Sequence, residues 1–400
     1  MEPAPVYLDN NATTRCDPAA VEAMLPYFSE QFGNASSTHM FGAEVGAAVS
    51  RARKQLQGLL GAKFDHEIVY TSGGTEADNM ALLSALETQE GRDEIVTSAV
   101  EHPAILNLAD HLEKTGRAKV RLIGVDSRGR LDMEAYRQAL GPKTAIVSIM
   151  WANNETGTIF PVEELAALAH EAGALFHTDA VQAVGKVPVN LAESAVDMLS
   201  LSGHKLHGPK GIGALYVRKG IRVRPLIRGG HQERGRRGGT ENAPAIVGLG
   251  KAAELALEHM ADERTRVAAL RDRLEQGVLQ RIGNCFVTGD PENRLPNTAN
   301  VVFEYVEGEA ILTNMNREGL AASSGSACTS GSMEPSHVLR AMDVPYTAAL
   351  GAIRFSLSRE NGDADVDRVL EVLPGIIGKL REMSPFWRER ENHAANPSYA

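Results

Sequence analysis

Between residues 67 and 216 the chain alternates short runs of β-branched and aliphatic residues with amphipathic stretches, and this most constrains its fold. The runs 67–70, 94–97, 120–123, 145–149, 174–177 and 197–201 read as strands. They are short and rich in Val, Ile and Leu, as strands are when both faces of a sheet are covered. The stretch beginning near Val162 puts Val162, Leu165, Ala166 and Ala169 on one helical face. Strand–helix alternation of this kind predicts an α/β domain with a mostly parallel central sheet. With 400 residues and 43% hydrophobic content, the chain can bury more than one core.

After about Gly250 the pattern changes. Residues 251–282 read as one long helix, followed by strand-like runs at 300–304 and 352–357. A helical stretch spans about 365–381, with Pro374 as a possible kink or break. These predict a smaller α+β domain. The expected division is a large domain over 15–260, a small domain from 1–14 and 261–387, and a polar, frayed tail over 388–400.

The net charge of −10 argues against a nucleic-acid partner. Three scattered cysteines, Cys16, Cys285 and Cys328, argue against a disulfide framework and for a reducing cytoplasm. No secretory signal or membrane-length apolar run is visible, and no metal site is expected.

Three segments at strand ends carry chemistry. Residues 71–78, Thr-Ser-Gly-Gly-Thr-Glu-Ala-Asp, follow a strand and open a helix, with Thr75 and Asp78 at capping-box spacing. Free N–H groups at such a helix start suit a phosphate, although an ordinary capped helix also fits. Asp179, in 177–182, His-Thr-Asp-Ala-Val-Gln, could keep a pyridinium nitrogen protonated, or could simply cap the next helix. Residues 200–211 are dense in Ser, His, Gly and Lys. Either Lys205 or Lys210 could form a Schiff base with an aldehyde cofactor, with Ser202 and His204 facing its phosphate. Ligands bind at strand ends in open α/β sheets. Gly203 and Gly208 read as making room around the lysine.

In this order, Gly-Gly-Thr-Glu-Ala, Thr-Asp-Ala-Val-Gln and Ser-Gly-His-Lys-Leu-His-Gly-Pro-Lys-Gly closely resemble fold-type I pyridoxal-phosphate enzymes. They are most similar to the cysteine desulfurases of the NifS and IscS class. The resemblance runs from residue 7 to about 387. It implies that Lys205, not Lys210, holds pyridoxal 5'-phosphate. By the same resemblance Asp179 pairs with the ring nitrogen, Gln182 and Asn154 lie at the ring hydroxyl, and His102 stacks on the ring. Gly74, Thr75, Ser202 and His204 hold the phosphate, joined by Thr240 from the partner of a homodimer. The Arg234, Arg236 and Arg237 cluster then belongs to a loop near a dimer interface and the mouth of the site.

The stretch 321–332, Ala-Ala-Ser-Ser-Gly-Ser-Ala-Cys-Thr-Ser-Gly-Ser, surrounds Cys328 with small residues that predict a mobile arm. A lone cysteine is usually a core residue. Here the polar context and the resemblance make Cys328 the sulfur acceptor. Cys16 and Cys285 have no such setting. Arg354 lies opposite the apolar face of Ile353, Phe355 and Leu357 and is suited to a carboxylate. The resemblance assigns it the α-carboxylate of L-cysteine, with Asn34 also at the substrate site.

The implied reaction converts L-cysteine to L-alanine and passes sulfur to a scaffold, NifU-like or IscU-like. Peripheral segments at 340–348 and 384–387 look more like the NifS group, which supplies nitrogenase clusters. The alternatives are a housekeeping desulfurase, a selenocysteine lyase or aminotransferase on the same fold, and a non-catalytic sulfur carrier.

Overall fold

The computed structural model describes residues 4–324 and 334–388. Twelve strands appear in chain order: β1 Val6–Tyr7, β2 Ile68–Thr71, β3 Glu94–Ser98, β4 Lys119–Ile123, β5 Thr144–Ser148, β6 Leu175–Asp179, β7 Met198–Ser202, β8 Gly213–Val217, β9 Cys285–Thr288, β10 Thr298–Phe303, β11 Leu320–Ala321 and β12 Ala352–Ser356. Seven form one sheet, ordered β2-β8-β7-β6-β5-β3-β4. All six predicted strand runs of residues 67–201 lie in it, shifted by a residue or so. It is parallel except for β8, which runs against both β2 and β7. That strand went unread in the sequence. Its entry is a close approach: a Cβ on Gly213 would lie 2.5 Å from the Leu201 carbonyl oxygen and 2.8 Å from the Gly73 Cα. Only glycine lets β8 pass so close to the turn after β2.

The helices Met40–Leu60 and Ala243–Glu258 pack together in one apolar layer that includes Val45, Leu56, Ile246 and Leu249. On the other face, Ala77, Met80 and Ala81 of helix Gly74–Thr88 pack with Ile105 and Leu112 over β-strand residues Val69, Ile95 and Ile146. Every residue of β5, β6, β7 and β8 is buried, as double coverage demands.

A second apolar cluster surrounds the antiparallel sheet β12-β10-β9. Leu270, Leu274 and Val278 of helix Ala268–Arg281 meet Val366, Leu370 and Leu373 of helix Asp363–Met383 there. Val6 and Leu8 join this cluster, and β1 pairs in parallel with β11.

Two expectations need correction. Residues 251–282 are not one helix. Helix Ala243–Glu258 ends near His259, and a π-helical turn, Glu263–Val267, precedes helix Ala268–Arg281. Both Glu263 and Val267, at the ends of that turn, are buried. Pro374, conversely, does not break its helix. Leu370, Leu373 and Ile377 are buried on both sides of it, and that packing outweighs a proline penalty of about 3 kcal/mol. Among the described residues no helix is long and apolar enough to cross a membrane.

Candidate active site

A cavity of about 630 Å³ opens where the parallel strands end. That volume lies in the usual range for a small-molecule site. Asp179 closes β6, and Ser202 closes β7 and leads into His204 and Lys205. Gly74 and Thr75 follow β2, His102 follows β3 and Asn154 follows β5. All of these residues line the cavity, as do Gln182 and Arg354. The sequence motifs therefore meet at one edge of the sheet.

The phosphate-type end forms where the turn after β2 meets the loop after β7. A Cβ on Gly73 would lie 3.9 Å from Ser202 Oγ, and one on Gly74 would lie 2.8 Å from Val181 Cγ2. Any larger residue at Gly74 would push the helix start away. Thr75 and Asp78 do not form the expected capping box. The helix starts at Gly74, and Glu76 accepts from the Ser72 N–H at 2.7 Å. Asp78 points inward instead. It is buried, and its Oδ1 lies 3.6 Å from His177 Nε2. His204 Nδ1 meets Thr13 Oγ1 at 3.1 Å, and burial lowers its pKa to about 4, so it is neutral.

Lys205 Nζ donates to the carbonyls of Asn11 and Ala12, both at 2.6 Å. Gly203 and Gly208 give this loop its tight path, since a Cβ on Gly208 would sit 2.8 Å from the Gly203 oxygen. Asp179 Oδ1 accepts from the Val181 N–H at 2.9 Å, so it caps its own turn while facing the cavity. Burial raises its pKa, and the Val181 N–H, His102 and Lys205 oppose that rise. Burial also raises the Asp78 pKa, with Asp179 adding to the effect. Glu101 is buried and its pKa is pushed up to about 8. His102 Nδ1 accepts from Ala104 N–H at 3.1 Å, and burial lowers its pKa.

Arg354 on β12 is buried. It donates from Nη2 to Asp9 Oδ1 at 2.9 Å and from Nη1 to the Asn154 carbonyl at 3.1 Å. Its Nε is buried with no hydrogen-bond acceptor among the described residues.

Two expected residues do not line this cavity. Asn34 is exposed, and its Oδ1 accepts from Ser36 N–H. Thr240 is exposed in a loop tied back to its own chain. In that loop Arg237 pairs with Glu76 at 3.0 Å, and Arg236 donates to the His66 carbonyl. Cys328 lies outside the described residues. On either side of it, Ser323 exchanges backbone hydrogen bonds with Arg354, and Glu334, Ser336 and His337 line the cavity.

Sequence reasoning missed Asn11. Its side chain donates to Thr298 Oγ1 and the Asn154 carbonyl, and accepts from Asn297 and Lys186. Its carbonyl accepts from Lys205 and Gln182. The repeated asparagines at 10 and 11 were the available signal, within a stretch used only to mark where the resemblance starts. Glu155 was also missed; burial raises its pKa to about 7, and Ser336 donates to it.

This fold and strand-end site define a class: residues 6–369 match the aminotransferase class-V family, and the chain belongs to it. Within that class it is an enzyme of the cysteine desulfurase group. It is 78% identical to a cysteine desulfurase of Gluconacetobacter diazotrophicus over 96% of each chain. It is 62% identical to the cysteine desulfurase NifS of Azotobacter vinelandii, covering 96% of this chain and 95% of that one. A solved NifS-like protein superposes with a TM-score of 0.88 at 38% identity, covering 94% of this chain and all of the other.

Proposed function

We propose that the chain converts L-cysteine to L-alanine with pyridoxal 5'-phosphate held at Lys205, and that Cys328 receives the sulfur. The observation carrying this is the meeting of Lys205, Asp179, Ser202 and Arg354 on one cavity wall set. These residues fit the cofactor. Lys205 supplies the amine, Asp179 a buried carboxylate for the ring nitrogen, and His102 a ring to lie against it. Gln182 and Asn154 serve the ring hydroxyl. The Gly74–Thr75 turn with Ser202 and His204 takes the phosphate. When bound, the cofactor serves as an electron sink for the pair left at a substrate carbon.

Arg354 holds the substrate carboxylate through its fork of N–H donors. The Lys205 amine takes the Cα proton, and the Asn11 and Ala12 carbonyls hold its ammonium afterwards. His102 exchanges a proton with the substrate thiol. The Cys328 thiolate attacks the substrate sulfur. An S–S bond forms as the substrate C–S bond breaks, its electron pair stays with Cβ, and alanine is completed by one proton added at Cβ and by the proton that Lys205 returns to Cα.

Asn34 is proposed to line the substrate site when cysteine is bound. Thr240, exposed and away from its own cavity, is proposed to reach the phosphate of a partner subunit in a homodimer. The exposed Leu25, Phe28, Phe32, Met40 and Phe41 support such a pairing. The cluster of Val6, Leu8, Leu270, Leu274, Phe355 and Leu370 supports a small domain of 1–14 and 261–387 beside a large one of 15–260, with Leu295, Val302, Leu339 and Ala352 packing into the larger core. The sulfur is proposed to pass, in the cytoplasm, to a NifU-like scaffold for nitrogenase iron–sulfur clusters.

The test is the purified protein with L-cysteine and a thiol reductant. Alanine and sulfide should appear in equal amounts. Cys328→Ala should keep the visible absorbance of bound cofactor and release no sulfide. Full sulfide release by that variant would overturn the role of Cys328.

A further inference from the structure

Lys186 is a buried lysine that the reaction above does not use. It sits in the run of turns after β6 and is 6% exposed. Its Nζ donates to Gln182 Oε1 at 2.6 Å and to Asn11 Oδ1 at 3.3 Å. Gln182 donates from Nε2 to the Asn11 carbonyl at 2.9 Å. That same carbonyl accepts from Lys205. An amide can present either its oxygen or its nitrogen. With an ammonium on Oε1, which can only donate, the Gln182 amide has one orientation left.

Behind Lys186 lies a second, small cavity of about 20 Å³, lined by Lys186, Lys205, His207, His259, Glu263 and Arg359. Such a space holds about one water molecule. Glu263 enters it from the π-helical turn, buried, with Oε2 lacking a hydrogen-bond partner among the described residues. Among the described residues, Lys186 Nζ has two acceptors for its three protons. A buried carboxylate oxygen and a buried ammonium on either side of a water-sized, polar space call for a bridging water. Burial pushes the Lys186 pKa down to about 7; Glu263 opposes this, while Lys205 and Arg354 add to it.

We infer that Lys186 is a positioning residue. It fixes the orientation of Gln182 and the place of Asn11, and through them the site of Lys205, while a single bound water ties it to Glu263. The inference rests on the reading of Lys205 as the cofactor lysine.

The test compares the cofactor-loaded wild type with Lys186→Met and Lys186→Gln. The Met variant should keep the cofactor but shift its visible absorbance maximum. It should release the cofactor about tenfold more readily, the size expected for one lost hydrogen bond. Its kcat should fall about tenfold, with KM for L-cysteine within about twofold. Lys186→Gln retains an amide donor and should recover most of the spectrum and of kcat. A Met variant that melts lower but has unchanged spectrum, cofactor release and kcat overturns the inference, as does a Gln variant no better than Met. Should the Met variant not fold, Glu263→Gln carries the test. It should move spectrum and cofactor release in the same direction, by less, and no change there is also refutation. A wild type with neither visible absorbance nor sulfide release refutes the cofactor reading instead.

Discussion

Glu101→Gln tests the electrostatics of the site floor without touching the cavity chemistry. Glu101 is fully buried between β3 and His102. Its Oε1 accepts from Ser98 Oγ at 2.6 Å and Met150 N–H at 2.9 Å, while Oε2 has no hydrogen-bond partner among the described residues. Burial pushes its pKa from 4.5 to about 8, and the nearby Asp179 adds to the rise. A folded-state pKa above the unfolded one means that Glu101 favours folding fully only below pH 4.5. That contribution fades as pH rises and is lost by about 8. Each unit is worth about 1.4 kcal/mol, so at about pH 7 the wild type is disfavoured by about 3 kcal/mol relative to a neutral side chain of the same shape. Near pH 5 the same difference is only about 1 kcal/mol.

Glutamine preserves the two accepted hydrogen bonds and cannot ionise. The melting temperature of Glu101→Gln should therefore gain on wild type by about 2 °C between roughly pH 5 and pH 7, for a chain of this length. The gain should level off above about pH 8, where wild-type Glu101 ionises in both states. Thermal melts of both proteins across that range give the result. A difference that does not change with pH would show that Glu101 is already charged in the folded protein, and the reasoning would fail.

Lys205→Ala should abolish borohydride-dependent fixation of the cofactor to the chain, read by mass spectrometry; a fixed cofactor would move the linkage elsewhere. Arg354→Lys should lower kcat/KM for L-cysteine roughly 30- to 150-fold, about 2–3 kcal/mol for a lost charge-assisted hydrogen bond. Its cofactor absorbance should stay unchanged, and a normal kcat/KM would remove Arg354 from the substrate site. Arg130→Met breaks a paired contact in which Arg130 donates to Asp290 at 2.7 and 2.9 Å and holds its pKa well below the usual range. Asp290 therefore contributes stability above its unfolded pKa, and loses it as pH falls through the lowered one. The wild-type advantage over the variant should shrink in acid melts below about pH 4.

The parts of the fold legible in the sequence were local ones. Period and composition set the parallel strands, and the three motifs at strand ends located Asp179, Ser202 and Lys205. What could not be read depends on distant partners. Asn11 earns its place through Lys186, Thr298 and Ser356, which lie 175, 287 and 345 residues away. Nothing in the Asp-Asn-Asn-Ala stretch specifies those meetings. The Thr75–Asp78 spacing misled because a capping box and an inward-facing aspartate look alike until the helix start is fixed at Gly74. β8 was missed because it opens at Gly213, directly after Gly208 and Gly211, where the glycine-rich composition reads as loop. Pro374 was overrated because local propensity yields to packing.

The Asn11 hub also bears on how the protein is made. The Asn11 N–H bonds to Ser356 Oγ and its side chain to Thr298 Oγ1, across 345 and 287 residues of chain. The carbonyls that hold Lys205 thus reach their final positions only after β12 has been synthesised and has paired. Contacts so far apart in sequence form late, because their loop entropy must be met first. Almost the whole chain must therefore be released before the two carbonyls that hold Lys205 are fixed in place, and an amino-terminal truncation that removes Asn11 and Ala12 would take them away.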